Sequence, residues 1–262
     1  MPELMSDKKL KIGLVQYSPV WNNKRKTADK LHLLIEKHVS DEDLLIFPEM
    51  SLTGFSMDSK KNAEEIDGFS FDFFINLASK LKKHLIAGIV TENNNRIFNS
   101  AVHFNPQGII TAQYHKIHLF SLAEEDKHFQ AGFEPIISKI NDWKIGFSIC
   151  YDLRFPELYR KYAKQTTDLI INIASWPEKR INHWESLLKA RAIENQCYVA
   201  AVNRIGSDPY HNYPGASSIF DPSGNLIIFN NDSETIISVE IELQNVSSIR
   251  EKLNFLSDIK LI

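Results

Sequence analysis

A thiol, a carboxylate and an ammonium stand at three points of this 262-residue chain where extended segments end. Cys150 closes KIGFSIC, Glu49 follows LLIFP, and Lys116 follows IITAQYH. Together they are the parts for acyl transfer. The thiol attacks a carbonyl carbon, the carboxylate moves protons, and the cation steadies the developing oxyanion. Strand ends are where α/β proteins place such groups. Taken singly, each has an ordinary reading. A strand-end cysteine is commonly core, an acidic residue there a cap or solvated group, and a lysine a surface charge. Only the joint placement is informative.

The stretch around the thiol is KIGFSICYDLRFPE, residues 144–157. Ile145, Phe147 and Ile149 share one strand face, and Gly146, Ser148 and Cys150 share the other. The small residues leave room in front of the sulfur. Pro156 suits the first turn of a helix. Free N–H groups at a helix start favour an anion on a cysteine just ahead of it. Cys197, in an apolar run after a helix, reads as inert core. Two cysteines are too few for a disulfide framework, which points to the cytoplasm.

The elements that must hold these groups follow from periodicity. Segments 11–17, 43–47 and 84–90 read as strands. Segments 24–39 and 70–83 alternate with them as amphipathic helices. That order predicts an α/β layered architecture. The turns NPQG (105–108) and DPSG (221–224) each close a hairpin. They predict antiparallel pairs beside the strand–helix units. Residues 117–135 read as a loop, 168–177 as a buried strand, 180–197 as a helix and 197–206 as a strand. A last strand lies in ETIISVEIEL, followed by a mixed helical tail at 245–262. Residues 1–9 read as a polar leader without a secretory apolar region. No linker or composition shift divides the chain, so one domain is expected over 1–262.

Composition narrows the partners. Net charge is -3 with signs interspersed, so no basic stripe suits nucleic acid or an anionic membrane. The apolar runs are too short for a membrane span. The nine histidines are scattered without zinc-ligand spacing, so no metal is expected.

LLIFPEMSLTGF, YHKIHLF and GFSICYDLRFPE, in that order, resemble the nitrilase (carbon–nitrogen hydrolase) superfamily. NIASWP, HWESLLKARAIENQ, YVAAVNRIG and SSIFDPSGNLI extend the resemblance over roughly residues 10–245, and it is strongest to the ω-amidase branch. The resemblance implies a four-layer αββα sandwich of two mixed sheets flanked by helices, no cofactor, and a homodimer or higher assembly. It makes Glu49 the general base, Lys116 the catalytic lysine, Cys150 the nucleophile and Glu125 an additional glutamate, with adjacent Glu124 as the alternative for that last role. The oxyanion would rest on Lys116 and the Tyr151 backbone N–H. The implied reaction is hydrolysis of the terminal amide of a small 2-oxo dicarboxylic acid monoamide. Sister branches take nitriles, N-carbamoyl compounds or other short amides. Arg154 is a candidate for the distal carboxylate, or a structural partner of Glu157 or Asp152. Phe55, Phe120 and Trp176 either wall a small pocket or belong to the core. His118 and His183 read as supporting hydrogen-bonders. The tail at 245–262 is a candidate for packing on a partner subunit.

Overall fold

The computed structural model describes residues 8–231 and 233–261. Its first half runs β1 (Lys9–Gln16), α1 (Lys24–His38), β2 (Leu44–Ile46), α2 (Ser59–Asn62), α3 (Phe69–Leu81), β3 (His84–Asn93), β4 (Arg96–Phe104) and β5 (Ile110–His115). Then come α4 (Glu125–His128), β6 (Ile137–Ile140), β7 (Trp143–Ile149), α5 (Pro156–Lys164), β8 (Leu169–Ala174), α6 (Ile181–Asn195) and β9 (Tyr198–Asn203). The chain closes with β10 (Ile205–Ser207), β11 (Asn212–Phe220), β12 (Leu226–Asn231), β13 (Thr235–Glu242) and α7 (Leu243–Lys252).

Two mixed sheets face each other. One is ordered β13-β1-β2-β3-β4-β5, the other β10-β11-β9-β8-β7-β6, with β12 added on β11. In each, the middle strands are parallel: β1, β2 and β3 in the first, β7, β8 and β9 in the second. The β4–β5 and β11–β12 hairpins supply the antiparallel pairs that their turns predict. Period-two alternation sorts side chains into layers. Leu44 and Ile46 pack between the sheets with Ile145 and Phe147, while Leu45 and Phe47 pack outward with Leu31 and Phe74 of α1 and α3. α5 and α6 cover the outer face of the second sheet. This is the αββα order.

Several local expectations need correction. β1 begins at Lys9, whose ammonium pairs with Glu240 across to β13, so the last residue of the expected leader belongs to the sheet. Residues 1–7 of that leader lie outside the described residues. The 117–135 loop contains a 3-10 turn at Ser121–Ala123 and the short α4. β6 escapes notice because four residues, ISKI, are too short for a periodic signal. The apolar run 197–206 breaks between Asn203 and Ile205. The tail is helical at its head, as expected, and α7 packs on its own chain. Val246 is buried, and Arg250 donates to the carbonyls of Thr167 (2.6 Å) and Gln196 (3.1 Å) and reaches Asp168 at 3.3 Å.

One buried polar chain crosses between the sheets. His103 has Nε2 2.9 Å from His84 Nδ1 and Nδ1 2.7 Å from Ser138 Oγ. Burial, with a smaller contribution from the neighbouring His84, lowers the His103 imidazole to about 3. Its folded pKa therefore lies below its unfolded value. As pH falls below about 6.5, the unfolded chain takes up a proton that the folded chain refuses. Folding free energy from urea titration is expected to fall by about 2 kcal/mol between pH 6.5 and 5 through this group. His103→Gln should remove that share of the pH dependence.

Candidate active site

Glu49 sits in the turn that ends β2. The turn docks on β3 at Gly88: the Ser51 N–H donates to the Gly88 carbonyl (2.8 Å), and the Gly88 N–H donates to Ser51 Oγ (2.9 Å). A Cβ on Gly88 would lie 2.4 Å from the Met50 nitrogen and 2.8 Å from the Glu49 Cα. Both neighbours are backbone and cannot swing away. Gly88→Ala is therefore expected to cost about 2 kcal/mol in thermal unfolding. By moving Glu49 it should also lower kcat about 100-fold.

Lys116 follows β5 and is fully buried. Its Nζ lies 2.9 Å from Glu49 Oε1 and 2.9 Å and 3.2 Å from the two oxygens of Glu125. Asn99 of β4 donates its amide N–H groups to both carboxylates, at 2.8 Å and 2.9 Å. The Phe120 N–H donates to Glu125 Oε2 (2.7 Å), and the Ser175 N–H to Glu49 Oε2 (2.9 Å). Glu124 instead turns to solvent and pairs with Lys127, so geometry separates the two adjacent glutamates. Burial lowers the Lys116 ammonium, but the charges of Glu125 and Glu49 outweigh it and hold the pKa above the ordinary lysine value. Burial raises the Glu49 carboxyl; Lys116 pulls it back and Glu125 pushes it up again. Two carboxylates around one cation leave an excess negative charge in a dry site, which is what a proton acceptor needs.

Cys150 is the residue after β7, with φ of 44°. A left-handed conformation at a non-glycine residue costs about 1–3 kcal/mol and points its side chain out of the strand's path. Cys150–Arg154 form a 3-10 turn, and α5 begins only at Pro156. The free N–H groups near the sulfur therefore belong to this turn and not to the helix expected there. Tyr151 is second in the turn, ahead of its first internal bond, so the turn itself leaves its N–H unpaired. Asp152 ties the turn to the Lys116 loop. It accepts from the Ile149 N–H and Tyr114 hydroxyl on one oxygen, and from the His118 N–H and ring Nδ1 on the other. From the far side, buried Arg191 donates twice to the Leu153 carbonyl. Burial pushes the Cys150 thiol well above its ordinary pKa, and the Glu49 charge adds to this. A raised thiol pKa favours the protonated form, so attack by this sulfur would need a base nearby.

Cys150, Lys116, Phe55, Phe120, Arg154 and Trp176 line one cavity of about 30 Å³, which opens into an outer cleft of about 820 Å³. The three aromatic candidates are thus walls. Phe55 lies under the Lys116 ammonium, 5.3 Å from its ring centre. Arg154 pairs with neither Asp152 nor Glu157. Its guanidinium lies 4.7 Å over Trp176 and 3.3 Å from His183 Nδ1. Sequence reasoning missed Asn99, Arg180, His211 and Tyr213. The signal for Asn99 was its polarity inside RIFNSAVHF; Arg180 follows Trp176 by four residues in the WPEKR turn. His211 and Tyr213 sit at the start of β11 and carry no local motif.

The model of the carbon–nitrogen hydrolase family matches residues 11–251. The chain is 34% identical to a 2-oxoglutaramate amidase of Bacillus subtilis (strain 168), over 95% of this chain and 97% of that protein. It is 35% identical to omega-amidase YafV of Yersinia enterocolitica, over 93% and 94% of the two chains. The crystal structure of XC1258 from Xanthomonas campestris, a CN-hydrolase superfamily protein, superposes with a TM-score of 0.92 at 31% identity, covering 97% of this chain and 98% of that one. Sequence, fold and relatives agree over nearly the whole length, and the chain belongs to the carbon–nitrogen hydrolase family.

Proposed function

We propose that the protein is an ω-amidase that releases ammonia from the terminal amide of a small 2-oxo dicarboxylic acid monoamide, through a thioester on Cys150. The observation that carries this reading is the placement of two chemistries in one cavity. Cys150 and Lys116, the latter paired with Glu49 and Glu125, line it, and so does a guanidinium, Arg154. The 2-oxoglutaramate amidase and ω-amidase names of the relatives point the same way.

In this mechanism Glu49 takes the thiol proton as sulfur bonds to the amide carbon. The oxyanion rests on the Lys116 ammonium and the Tyr151 N–H. Glu49 then gives its proton to the amide nitrogen, the C–N bond breaks, and ammonia leaves a thioester. Water attacks next. Glu49 takes its proton, the C–S bond breaks, the proton returns to sulfur, and the acid departs. Glu125, with both oxygens engaged by Lys116, Asn99 and the Phe120 N–H, holds the lysine in place. Arg154 meets the carboxylate at the far end of the substrate. Phe55, Phe120 and Trp176 exclude water between the two ends.

The reading includes a cytoplasmic homodimer. Among the described residues no helix is long and apolar enough to cross a membrane. Ile193 of α6 and Leu226, Ile227 and Phe229 of β12, the strand added on β11, expose apolar surface, which suits a subunit contact.

The test is ammonia release from 2-oxoglutaramate and 2-oxosuccinamate, set against a nitrile, an N-carbamoyl acid and an uncharged short amide. The 2-oxo acid amides should have the highest kcat/KM. A folded protein that prefers the nitrile or the N-carbamoyl acid would move to a sister branch.

A further inference from the structure

We infer that Arg180 is a specificity-determining residue: with Arg154 it forms a two-guanidinium clamp that selects amides whose far end carries a carboxylate beside a carbonyl, and rejects those with an ammonium there. The inference rests on the amidase reading above and names the group that narrows it.

Arg180 ends the 3-10 turn Glu178–Arg180, immediately before α6. It lines the inner cavity and also the outer cleft, so it stands where the two join. Its guanidinium lies over the Phe120 ring, 5.4 Å from the centre, on the wall that carries the candidate pocket aromatics. Arg154 lies over Trp176 in the same cavity. One side chain relates the two cations. The Trp176 ring lies under Arg154, and its indole N–H donates to the Arg180 carbonyl at 2.8 Å. Trp176 is itself pinned at both backbone groups by the Asn203 side chain, at 2.6 Å and 3.0 Å. The spacing of the clamp is therefore set by a buried, doubly anchored indole.

Charge bookkeeping gives the direction of selectivity. Arg160 and Arg191 pair with Glu194, Arg204 faces Asp208, and Arg250 pairs with Asp168. Among the described residues, no carboxylate lies within the 4.0 Å ion-pair distance of Arg154 or Arg180. Both are half-buried, and the Arg180 charge adds to burial in lowering the Arg154 pKa. Two partly dehydrated cations facing one cavity favour an anion between them. A 2-oxo acid presents three oxygens in a row, two from the carboxylate and one from the carbonyl. Two planar forks can engage that edge together. A 2-amino acid puts an ammonium in place of the third oxygen and meets like charge.

Steady-state kinetics of the full chain tests this, with 2-oxoglutaramate and glutamine as the paired substrates. Arg180→Gln should raise KM for 2-oxoglutaramate by about 10–100-fold, with kcat changing far less. The preference for 2-oxoglutaramate over glutamine should narrow by a similar factor. Arg180→Lys should recover part of the KM but little of the preference, since it restores a charge without the fork. Circular dichroism and thermal unfolding establish that each variant is folded. An active wild type whose KM and preference are untouched by Arg180→Gln would overturn the clamp and leave the amidase reading standing. A folded wild type that releases no ammonia from 2-oxoglutaramate would overturn both.

Discussion

Cys150→Ala is expected to lower ammonia release by about 10,000-fold or more while leaving the fold intact. The alanine keeps the backbone that Asp152 and Arg191 hold through Ile149, Leu153 and the His118 loop. It removes only the sulfur, which faces a cavity and not close-packed core. Thermal unfolding should therefore shift by no more than a few degrees. Without the sulfur, water would have to attack an unactivated amide directly, and the division into two easier steps is lost. Cys150→Ser should be nearly as inactive. A hydroxyl is far less acidic than a thiol, and burial beside Glu49 already opposes an anion at this position. Iodoacetamide provides the complementary readout. One equivalent should react with the wild type, at Cys150, and none with the alanine variant. Cys197 stays silent because it is fully buried and its thiol is pushed up to about 12. Retention of substantial turnover by Cys150→Ala would remove the thioester mechanism.

The legible part of this fold is the part governed by local pattern. Leu44, Leu45 and Ile46 show as a strand because a strand between two apolar layers is apolar on both faces. NPQG and DPSG show as hairpins because their proline and glycine suit one turn geometry. Glu49, Lys116 and Cys150 show as strand-end groups, and their separation in sequence hides nothing because the motifs around them are distinctive together. What stayed illegible depends on the approach of distant segments. Asn99 bridges Glu49 and Glu125 only because β4 lies beside β3 and β5, and no residue near it announces that. Arg180 lacks a carboxylate neighbour only in three dimensions. The left-handed Cys150 is a tertiary fact too: Asp152, through Tyr114, Ile149 and His118, holds a conformation that the local sequence would avoid. The same holds for the acid–base state. Free N–H groups at a helix start favour an anion on Cys150, whereas a general base at Glu49 implies a thiol. Burial, with two carboxylates around the lysine, favours the second.

Glu49→Gln is expected to lower kcat about 1,000-fold, because one carboxylate serves as base and acid in acylation and as base in deacylation. It should also destabilise the protein, although glutamine has the same shape. Glu49 Oε1 accepts from the Lys116 ammonium and the Asn99 amide, and Oε2 accepts from the Ser175 N–H. All three neighbours are donors. Glutamine offers one oxygen, so in either rotamer its NH₂ group faces a buried donor. Loss of that acceptor costs about 1–3 kcal/mol, visible as a lower midpoint in thermal or urea unfolding. The third consequence has the opposite sign and separates a base from a merely structural residue. Burial and the Glu49 charge together raise the Cys150 thiol. Glutamine removes the second of these and leaves Lys116, which favours the thiolate. The pH midpoint for alkylation of Cys150 by iodoacetamide should therefore move down in Glu49→Gln, even as hydrolysis fails. A variant with slow hydrolysis and an unchanged or raised midpoint would mean that Glu49 does not sit over the thiol, and the base would have to be sought elsewhere.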